Sequence, residues 1–333
     1  MNTTTLDPLL PSGRLVAPPG LKGLIVADTT VGSVRGAEGF YHYRDHDAVE
    51  LARGRSLEDV WHLLWWGRLP TTDEGIEFRQ RVAQGRLVPP EALELVDRLA
   101  ERVSSPHHLL QASLPLVRPE ARATLDLSHE DRRDDALALV AAAPTLLARG
   151  LSGRLGQDLA HGRCGPDPAA GHAADGLAML TVGAQTADRE VQALERYLVA
   201  TIDHGFNAST FGTRVVASTG ADVVAALSAG VGALSGPLHG GAPARALSMI
   251  REIGHPDRAA DWVDEQLARG DKIMGFGHAV YRAGDPRSEL MKETARWWDD
   301  PIVSTAIEIE AGVLESLRRH KPDAAIVTNV EYY

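Results

Sequence analysis

Apolar residues recur at helical spacing along most of the chain, and this periodicity limits the folds that it can adopt. A helix is predicted over residues 56–70 (SLEDVWHLLWWGRLP), with Ser56 as its N-cap and Gly67 as a stop signal. Residues 91–103 and 191–202 each place an apolar stripe on one helical face. Alternating patterns typical of strands are scarce, so the sequence predicts an all-α protein.

Charge and composition exclude several classes of function. The 333 residues include 45 acidic and 34 basic side chains, and the formal charge of -11 opposes binding to nucleic acid. An apolar fraction of 44% is typical of a globular protein, and no apolar run has the length of a membrane span. Residues 1–20 lack the features of a secretion signal and predict an irregular leader. We therefore expect a cytoplasmic protein with no nucleic-acid or membrane partner.

Residues 161–172 (HGRCGPDPAAGH) concentrate glycine and proline, which predicts a long surface loop. His161, Cys164 and His172 in this segment are potential metal ligands. One thiol without a second Cys-x-x-Cys pair does not match the spacing of a zinc site. We therefore interpret the three as solvated loop residues and predict no metal site.

Three histidines are predicted to lie where helices are interrupted. His204 follows one predicted helix, and Asn207 or Ser209 would cap the next. His239, in GALSGPLHGGAPARA, lies just before a predicted helix N-terminus, and His278 follows a G-x-G turn. The small residues around His239 would let a substrate approach the ring closely.

These positions suit histidines that act as neutral hydrogen-bond donors. A ring near a helix N-terminus is held neutral and can donate to a carbonyl oxygen. Each histidine taken singly is also consistent with a structural role near a turn. Together with Arg287 they predict an anion site. The segment G-F-G-H has neither the third glycine nor the preceding strand of a dinucleotide loop, and no G-x-S-x-G motif of a serine hydrolase is present.

Six segments carry a family resemblance: GLKGLIVADTTVGSVRGAEGFYHYRDHD, SLEDVWHLLWWGRLPT, DHGFNASTFGTRVVASTGAD, SGPLHGGAPARA, GFGHAVYRAGDPR and TNVEYY. The chain resembles the citrate synthases, including the 2-methylcitrate synthases, and is most similar to their compact bacterial branch. The resemblance implies a two-domain helical fold and a homodimer. A large domain over 21–238 would form the dimer contact, and a small mobile domain over 239–333 would close over the substrates.

The resemblance also implies roles for individual residues. His204 is similar to the family's oxaloacetate-binding histidine, and His239 to the histidine that donates a hydrogen bond to the thioester carbonyl as acetyl-CoA enolises. His278 is similar to the histidine that polarises the ketone of oxaloacetate. Arg287 resembles an arginine that binds a substrate carboxylate, and Glu331 stands at the position of the general base.

Binding of coenzyme A is implied for the loop over residues 272–278, which resembles the loop that holds the adenine largely through its backbone. Asn207 is a further expected substrate-binding residue. The CoA thioester is a co-substrate, so no tightly bound cofactor is expected. The predicted CoA-binding residues are Lys272, Met274, Gly275, Gly277 and Arg282.

The implied reaction condenses acetyl-CoA with oxaloacetate and hydrolyses the thioester to citrate and CoA. A methyl group beside a thioester is a weak carbon acid, so its enolate needs a nearby carboxylate base and a hydrogen-bond donor. A 2-methylcitrate synthase that uses propionyl-CoA is the alternative. A pocket for one extra methyl group discriminates by only about 1–3 kcal/mol, and no residue in the sequence decides the choice.

Two features depart from the family pattern. Most members have aspartate where this chain has Glu331, and a carboxylate that only caps a helix start is an alternative interpretation. The family continues beyond TNVEYY with helices that carry further arginines, one from the partner subunit. We expect this protein also to continue beyond Tyr333. A non-catalytic homologue that lacks those arginines and binds acyl-CoA or a dicarboxylate is the rival hypothesis.

Overall fold

The computed structural model describes residues 25–118, 120, 122–155, 170–180, 187–278 and 280–333, with side chains described outside 153–155. Residues 31–333 cluster as one unit, and residues 25–30 belong to a separate N-terminal unit. These six residues are mostly exposed and form neither helix nor strand. The predicted leader over residues 1–20 lies outside the described residues.

The described residues form fourteen α-helices and one small sheet, so the prediction of an all-α fold is confirmed. Most helices begin at a side chain that caps the first turn or at a proline in that turn. The helices are α1 Ala48–Gly54, α2 Leu57–Trp66, α3 Thr72–Gly85, α4 Pro90–Ala100, α5 Pro106–Val117, α6 His129–Leu155, α7 His172–Leu180, α8 Asp188–Thr201, α9 Ala208–Ala217, α10 Val223–Leu234, α11 Ala242–Ile253, α12 Ala259–Arg269, α13 Pro286–Ala295 and α14 Pro301–His320.

The sheet is a feature that helical periodicity did not reveal. Its antiparallel strands are β1 Gly32–Arg35, β2 Phe40–Tyr43 and β3 His46–Asp47. Strand β2 buries Tyr41 and Tyr43 against the end of α8, and their hydroxyls donate hydrogen bonds to the carbonyl oxygens of Ala200 and Val199 at 3.0 and 2.8 Å. The strands are too short for their alternation to stand out in the sequence.

The predicted helix ends agree closely with the structure. Ser56 caps α2, because its side chain accepts a hydrogen bond from the backbone N–H of Asp59 at 3.2 Å, and the helix ends before Gly67. Helix α4 covers most of the predicted 91–103 segment, and α8 covers most of 191–202. These ends are set by neighbouring residues in the chain, which makes them readable from sequence.

Helix α6 occupies the interior of the helical assembly. It contacts α3, α4, α5, α7 and α10 and buries Leu139 and Leu146 completely. By length and composition alone, residues His129–Ser152 are long and apolar enough to cross a membrane, with a mean hydropathy of 1.2. The sequence predicted no apolar stretch of that length. Of the apolar window in this stretch, 44% is buried inside the fold.

His172 is not the solvated loop residue that the sequence predicted. It is the first residue of α7 and only 8% exposed, and its backbone N–H donates a hydrogen bond to Oε1 of Glu58 at 2.6 Å. The buried carboxylate satisfies the start of the helix, which draws the end of the predicted loop into the core. His161 and Cys164 lie outside the described residues.

All three predicted helix interruptions are confirmed. Asn207 caps α9, because its side chain accepts the backbone N–H of Thr210 at 2.9 Å, so the chain breaks at His204. His239 lies three residues before α11 begins, and His278 lies between α12 and α13. The domain boundary between residues 238 and 239 stays a prediction.

Candidate active site

Two of the three predicted histidines meet beside the predicted arginine. The rings of His204 and His278 pack edge to face with their centroids 5.7 Å apart. The Nη2 atom of Arg287 lies 3.3 Å from Nε2 of His278. The Tyr281 ring packs on both histidines, with centroid distances of 4.7 Å to His278 and 5.5 Å to His204. The α8–α9 break, the loop before α13 and the first turn of α13 therefore converge on one site.

The backbone around His278 determines which of its ring nitrogens carries the proton. The N–H groups of Val280 and Tyr281 both donate to Nδ1, at 3.0 and 3.1 Å. Nδ1 is therefore the acceptor, and a neutral ring has its N–H at Nε2. Arg287 is always a donor, so its Nη2 and the His278 Nε2–H are two donors side by side. Such a pair suits one oxygen acceptor that both N–H groups can reach.

His204 is a neutral ring whose polar atoms lack a partner. Burial is the main cause that lowers its pKa to about 3, with the positive charge of Arg287 acting in the same direction and Asp285 opposing both. Both ring nitrogens are buried, and neither is hydrogen-bonded within the described part of the chain. Buried polar atoms of native proteins almost always have a partner. The arrangement therefore suits a polar ligand at His204.

Arg287 is held by a carboxylate that sequence reasoning missed. Asp285 caps α13, and its side chain is completely buried. Its Oδ1 accepts from Nε of Arg287 at 2.9 Å and its Oδ2 from Nη2 at 2.8 Å. This two-pronged pairing orients the guanidinium, which is only 6% exposed as a residue. An aspartate followed by a proline was the available signal in the sequence, but it indicates only a helix cap.

Glu331 is carried to the site by a strand-like pairing of two loops. The N–H of Gly277 donates to the carbonyl oxygen of Val327 at 2.7 Å, and the N–H of Asn329 donates to that of Gly275 at 2.9 Å. The amide of Asn329 also donates to the carbonyl oxygen of Gly277 and accepts the N–H of Glu331. The segment that carries Glu331 is therefore fixed to the loop that precedes His278.

The environment of the Glu331 carboxyl favours a proton acceptor near neutral pH. Burial raises its pKa above the ordinary value, Arg287 opposes this effect, and Asp285 adds to it. Its carboxylate has no hydrogen-bonding partner among the residues that the structure describes. The residue lies in a turn, half-buried. Its oxygens are therefore available to take a proton from a ligand.

The two tyrosines after Glu331 anchor the segment to α14. The Tyr332 hydroxyl donates to the carbonyl oxygen of Ala306 at 2.7 Å. The Tyr333 hydroxyl donates to Oε2 of Glu310 at 2.6 Å, and the same oxygen accepts from Nζ of Lys292 at 2.6 Å. These buried contacts restrict the position of the neighbouring Glu331.

His239 occupies a second, adjacent arrangement. Its Nε2 lies 3.0 Å from Oγ of Ser209, and that hydroxyl lies 2.8 Å from Oδ1 of Asn207. Burial lowers the pKa of His239. Because the Ser209 hydroxyl donates its one proton to Oδ1 of Asn207, its Oγ accepts from His239, and the neutral ring carries its proton on Nε2. In the part of the chain that the structure describes, the ring does not contact His204 or His278.

The predicted CoA-binding residues lie on one loop, and their role in binding CoA stays a prediction. Lys272 is exposed and Met274 is half-buried, while Gly275 and Gly277 pair with the Glu331 segment. Arg282 is exposed, and its Nη1 donates to the carbonyl oxygens of His278 and Tyr281 at 2.9 and 3.0 Å. Arg282 thus supports the His278 loop in this structure. Asn207 likewise acts here as a helix cap and as a partner of Ser209.

Within the described ranges, no group of three histidine, cysteine or acidic side chains could hold a metal ion. The site instead offers nitrogen donors at His278 and Arg287 and a carboxylate at Glu331. Donors of this kind can stabilise negative charge that develops on an oxygen, and a carboxylate with a raised pKa can remove a proton. The site therefore suits proton abstraction coupled to attack on a carbonyl group.

Comparison with known proteins gives the same family throughout. The family model for the C-terminal domain of citrate synthase matches residues 20–333. The Haloferax volcanii citrate synthase is 33% identical over 328 residues, which cover 94% of this chain and 82% of that protein. A 2-methylcitrate synthase of Mycobacterium tuberculosis is 36% identical over 312 residues, 90% of this chain and 77% of that protein. The chain belongs to the citrate synthase family, whose members are acyltransferases.

Further matches differ in how much they cover. A Mycobacterium tuberculosis relative named for citrate synthase is 50% identical over 145 residues. This match covers 44% of this chain and 39% of that relative, which is less than half of either protein. Among solved structures, the Pyrobaculum aerophilum citrate synthase has a TM-score of 0.83 at 30% identity and covers 95% of this chain and 80% of its own. The helical fold is therefore that of citrate synthases.

Proposed function

We propose that this protein condenses an acyl-CoA with oxaloacetate, with acetyl-CoA as the favoured donor, to give citrate and free CoA. The observation that carries the proposal is the convergence of two donors, Nε2–H of His278 and Nη2 of Arg287, beside the unpartnered nitrogens of His204. A keto-diacid such as oxaloacetate offers both a ketone oxygen and carboxylates to such a set of donors.

In the first step, the Glu331 carboxylate removes a proton from the carbon next to the thioester. The thioester oxygen gains negative charge as the enolate forms, and the Nε2–H of His239 donates a hydrogen bond to it. Neutral His239 can do this because burial lowers its pKa. The Ser209 hydroxyl, whose own proton goes to Asn207, keeps the His239 proton on Nε2 by accepting it until the thioester oxygen takes its place.

In the second step, the enolate carbon forms a bond to the ketone carbon of oxaloacetate. The ketone oxygen becomes an alkoxide, which accepts hydrogen bonds from Nε2–H of neutral His278 and from Arg287 and takes up a proton from water. Water then attacks the thioester carbonyl of the product, the carbon–sulfur bond breaks, and CoA leaves as the thiol. This hydrolysis makes the sequence effectively one-way.

Propionyl-CoA is the alternative donor, since the chain is similar to both citrate synthases and 2-methylcitrate synthases. The test is release of CoA thiol from each acyl-CoA, with and without oxaloacetate. We expect oxaloacetate-dependent release, with a higher kcat/KM for acetyl-CoA. A higher value for propionyl-CoA would instead support 2-methylcitrate synthase activity. No release with either thioester would contradict the proposal, and calorimetric binding of oxaloacetate without turnover would favour the non-catalytic homologue.

The role of Glu331 is tested by Glu331→Gln, which removes the base and keeps the side chain's size. We expect kcat to fall by about 10²- to 10⁴-fold, the usual contribution of a general base. Glu308→Gln, an exposed residue on α14, is the matched control and should leave kcat unchanged. Equal rates for the two variants would show that Glu331 is not the base.

We also propose that the protein is a cytoplasmic homodimer, as the family resemblance implies. Light scattering of the purified protein tests this assembly. A monomer at assay concentrations that retains full turnover would contradict it.

A further inference from the structure

One carboxylate joins the substrate-binding arginine to the segment that carries the base. Besides its two bonds to the Arg287 side chain, Asp285 accepts the backbone N–H of Val330 on Oδ2 at 3.2 Å. Val330 immediately precedes Glu331 and lies 45 residues after Asp285 in the chain. Asp285 also accepts the N–H of Arg287 at 3.1 Å, so both of its oxygens are used.

We propose that Asp285 is a positioning residue for the condensation, because its carboxylate fixes both the guanidinium of Arg287 and the backbone beside Glu331. The proposal rests on the function proposed above. A single rigid carboxylate then sets the distance between the group that holds the keto-diacid and the group that takes the proton. Displacement of about 1 Å at a reacting centre can reduce the rate about a hundredfold.

Asparagine cannot replace Asp285 in this role. A carboxylate presents acceptors on both oxygens, whereas an amide has one oxygen and an NH2 group that only donates. With its oxygen at the Oδ1 position, asparagine keeps the Nε bond of Arg287, and its NH2 group faces Nη2 and the N–H of Val330. With its oxygen at the Oδ2 position, it keeps the bonds of Nη2 and Val330, and its NH2 group faces Nε of Arg287. The Asp285→Asn variant therefore loosens Arg287 in both orientations and the Val330 backbone in the first of them, while side-chain size changes little.

The same variant changes the charge around the base. Asp285 raises the pKa of Glu331, and Arg287 lowers it. Without the aspartate charge, the effect of Arg287 is unopposed, so the pKa of Glu331 falls. The acid limb of the kcat profile should therefore move to lower pH. The His278 and His204 rings lie beside the same ion pair, and the loss of Asp285 lowers their pKa values too, which keeps both rings neutral.

A matched control is present in the chain. Asp300 also precedes a proline at the start of a helix, and its Oδ1 accepts the N–H two residues later, at 2.9 Å from Ile302. Asp300 is exposed and lies outside the site. The Asp300→Asn variant thus reports the effect of the same substitution at a helix cap without the loss of an active-site contact.

The experiment measures three quantities for the wild type and both variants: kcat across pH, the oxaloacetate KM, and hydrogen exchange of the peptide over residues 326–333. For Asp285→Asn we expect kcat to fall about tenfold or more, with a smaller change in KM, an acid limb at lower pH and faster exchange of the peptide. For Asp300→Asn we expect wild-type values. Asp285→Glu keeps the charge but shifts both partners, so kcat should fall while the acid limb stays in place.

An Asp285→Asn enzyme with kcat within twofold of the wild type, or with unchanged exchange and an unmoved acid limb, would overturn the positioning role. A loss of thermal stability alone, equal to that of Asp300→Asn, would show that Asp285 is only a cap. If the wild type releases no CoA, the proposed reaction fails, but the exchange of residues 326–333 still decides whether Asp285 holds the segment. If Asp285→Asn does not fold, Asp285→Glu tests the positioning role instead. A lower kcat and faster exchange of residues 326–333 would support the role, and wild-type values of both would overturn it.

Discussion

Gly275 offers a direct test of how closely the segment that carries Glu331, the proposed base, must be placed. Its φ is +81°, and a Cβ atom there would lie 3.0 Å from Cδ2 and 3.1 Å from Cβ of Tyr332. Ordinary contacts of this kind begin near 3.4 Å, so Tyr332 would have to move by a few tenths of an ångström. In Gly275→Ala, the movement of Tyr332 is passed to Glu331, the residue immediately before it in the chain.

The size of the effect can be worked from these distances. A left-handed conformation costs a non-glycine residue about 1–2 kcal/mol, which applies at any site with this φ. If about 1 Å of displacement costs a hundredfold in rate, a few tenths of an ångström cost about fivefold. We therefore expect Gly275→Ala to lose about 1–2 kcal/mol in free energy of unfolding and about fivefold in kcat. Urea denaturation and CoA release measure the two quantities.

Gly270 provides the control, because it has nearly the same backbone conformation without the neighbour. Its φ is +78°, it ends α12, and nothing lies within 4 Å of the position of its Cβ. Gly270→Ala should lose a similar free energy of unfolding and keep the wild-type kcat. If the two variants have the same kcat, the contact with Tyr332 does not position Glu331, and the reasoning is refuted.

Two further predictions concern buried polar groups. Burial and nearby Arg86 lower the pKa of His172 from 6.5 to about 4, so the unfolded chain binds the extra proton below pH 6.5 and stability falls as the pH drops towards 4. Between pH 7 and 5 the urea-unfolding free energy of the wild type should fall about 2 kcal/mol more than that of His172→Asn, and equal falls would disprove this. Tyr333→Phe removes the hydrogen bond to Glu310 and should lower the unfolding free energy by about 1–2 kcal/mol. Thermal denaturation checks this, and a melting curve identical to that of the wild type would contradict it.

Local features of the site could be predicted because they depend on neighbours in the chain. The breaks at His204, His239 and His278 follow from capping residues, glycines and prolines within a few positions. The same local view was misleading at His172, since a buried carboxylate from α2 draws it into the core. It also could not show that Asp285, a cap by its local sequence, is the partner of Arg287 and Val330.

The sequence by itself determined a helical protein, the positions of its helix ends, and the residue types available for chemistry, because helical periodicity and capping act over a few residues. Only the tertiary structure decided that His204 and His278 share a site with Arg287 and that the Glu331 segment pairs with the loop at Gly275. It also decided the pKa directions and the proton position on His278, since these depend on burial and on donors that the folded chain brings together.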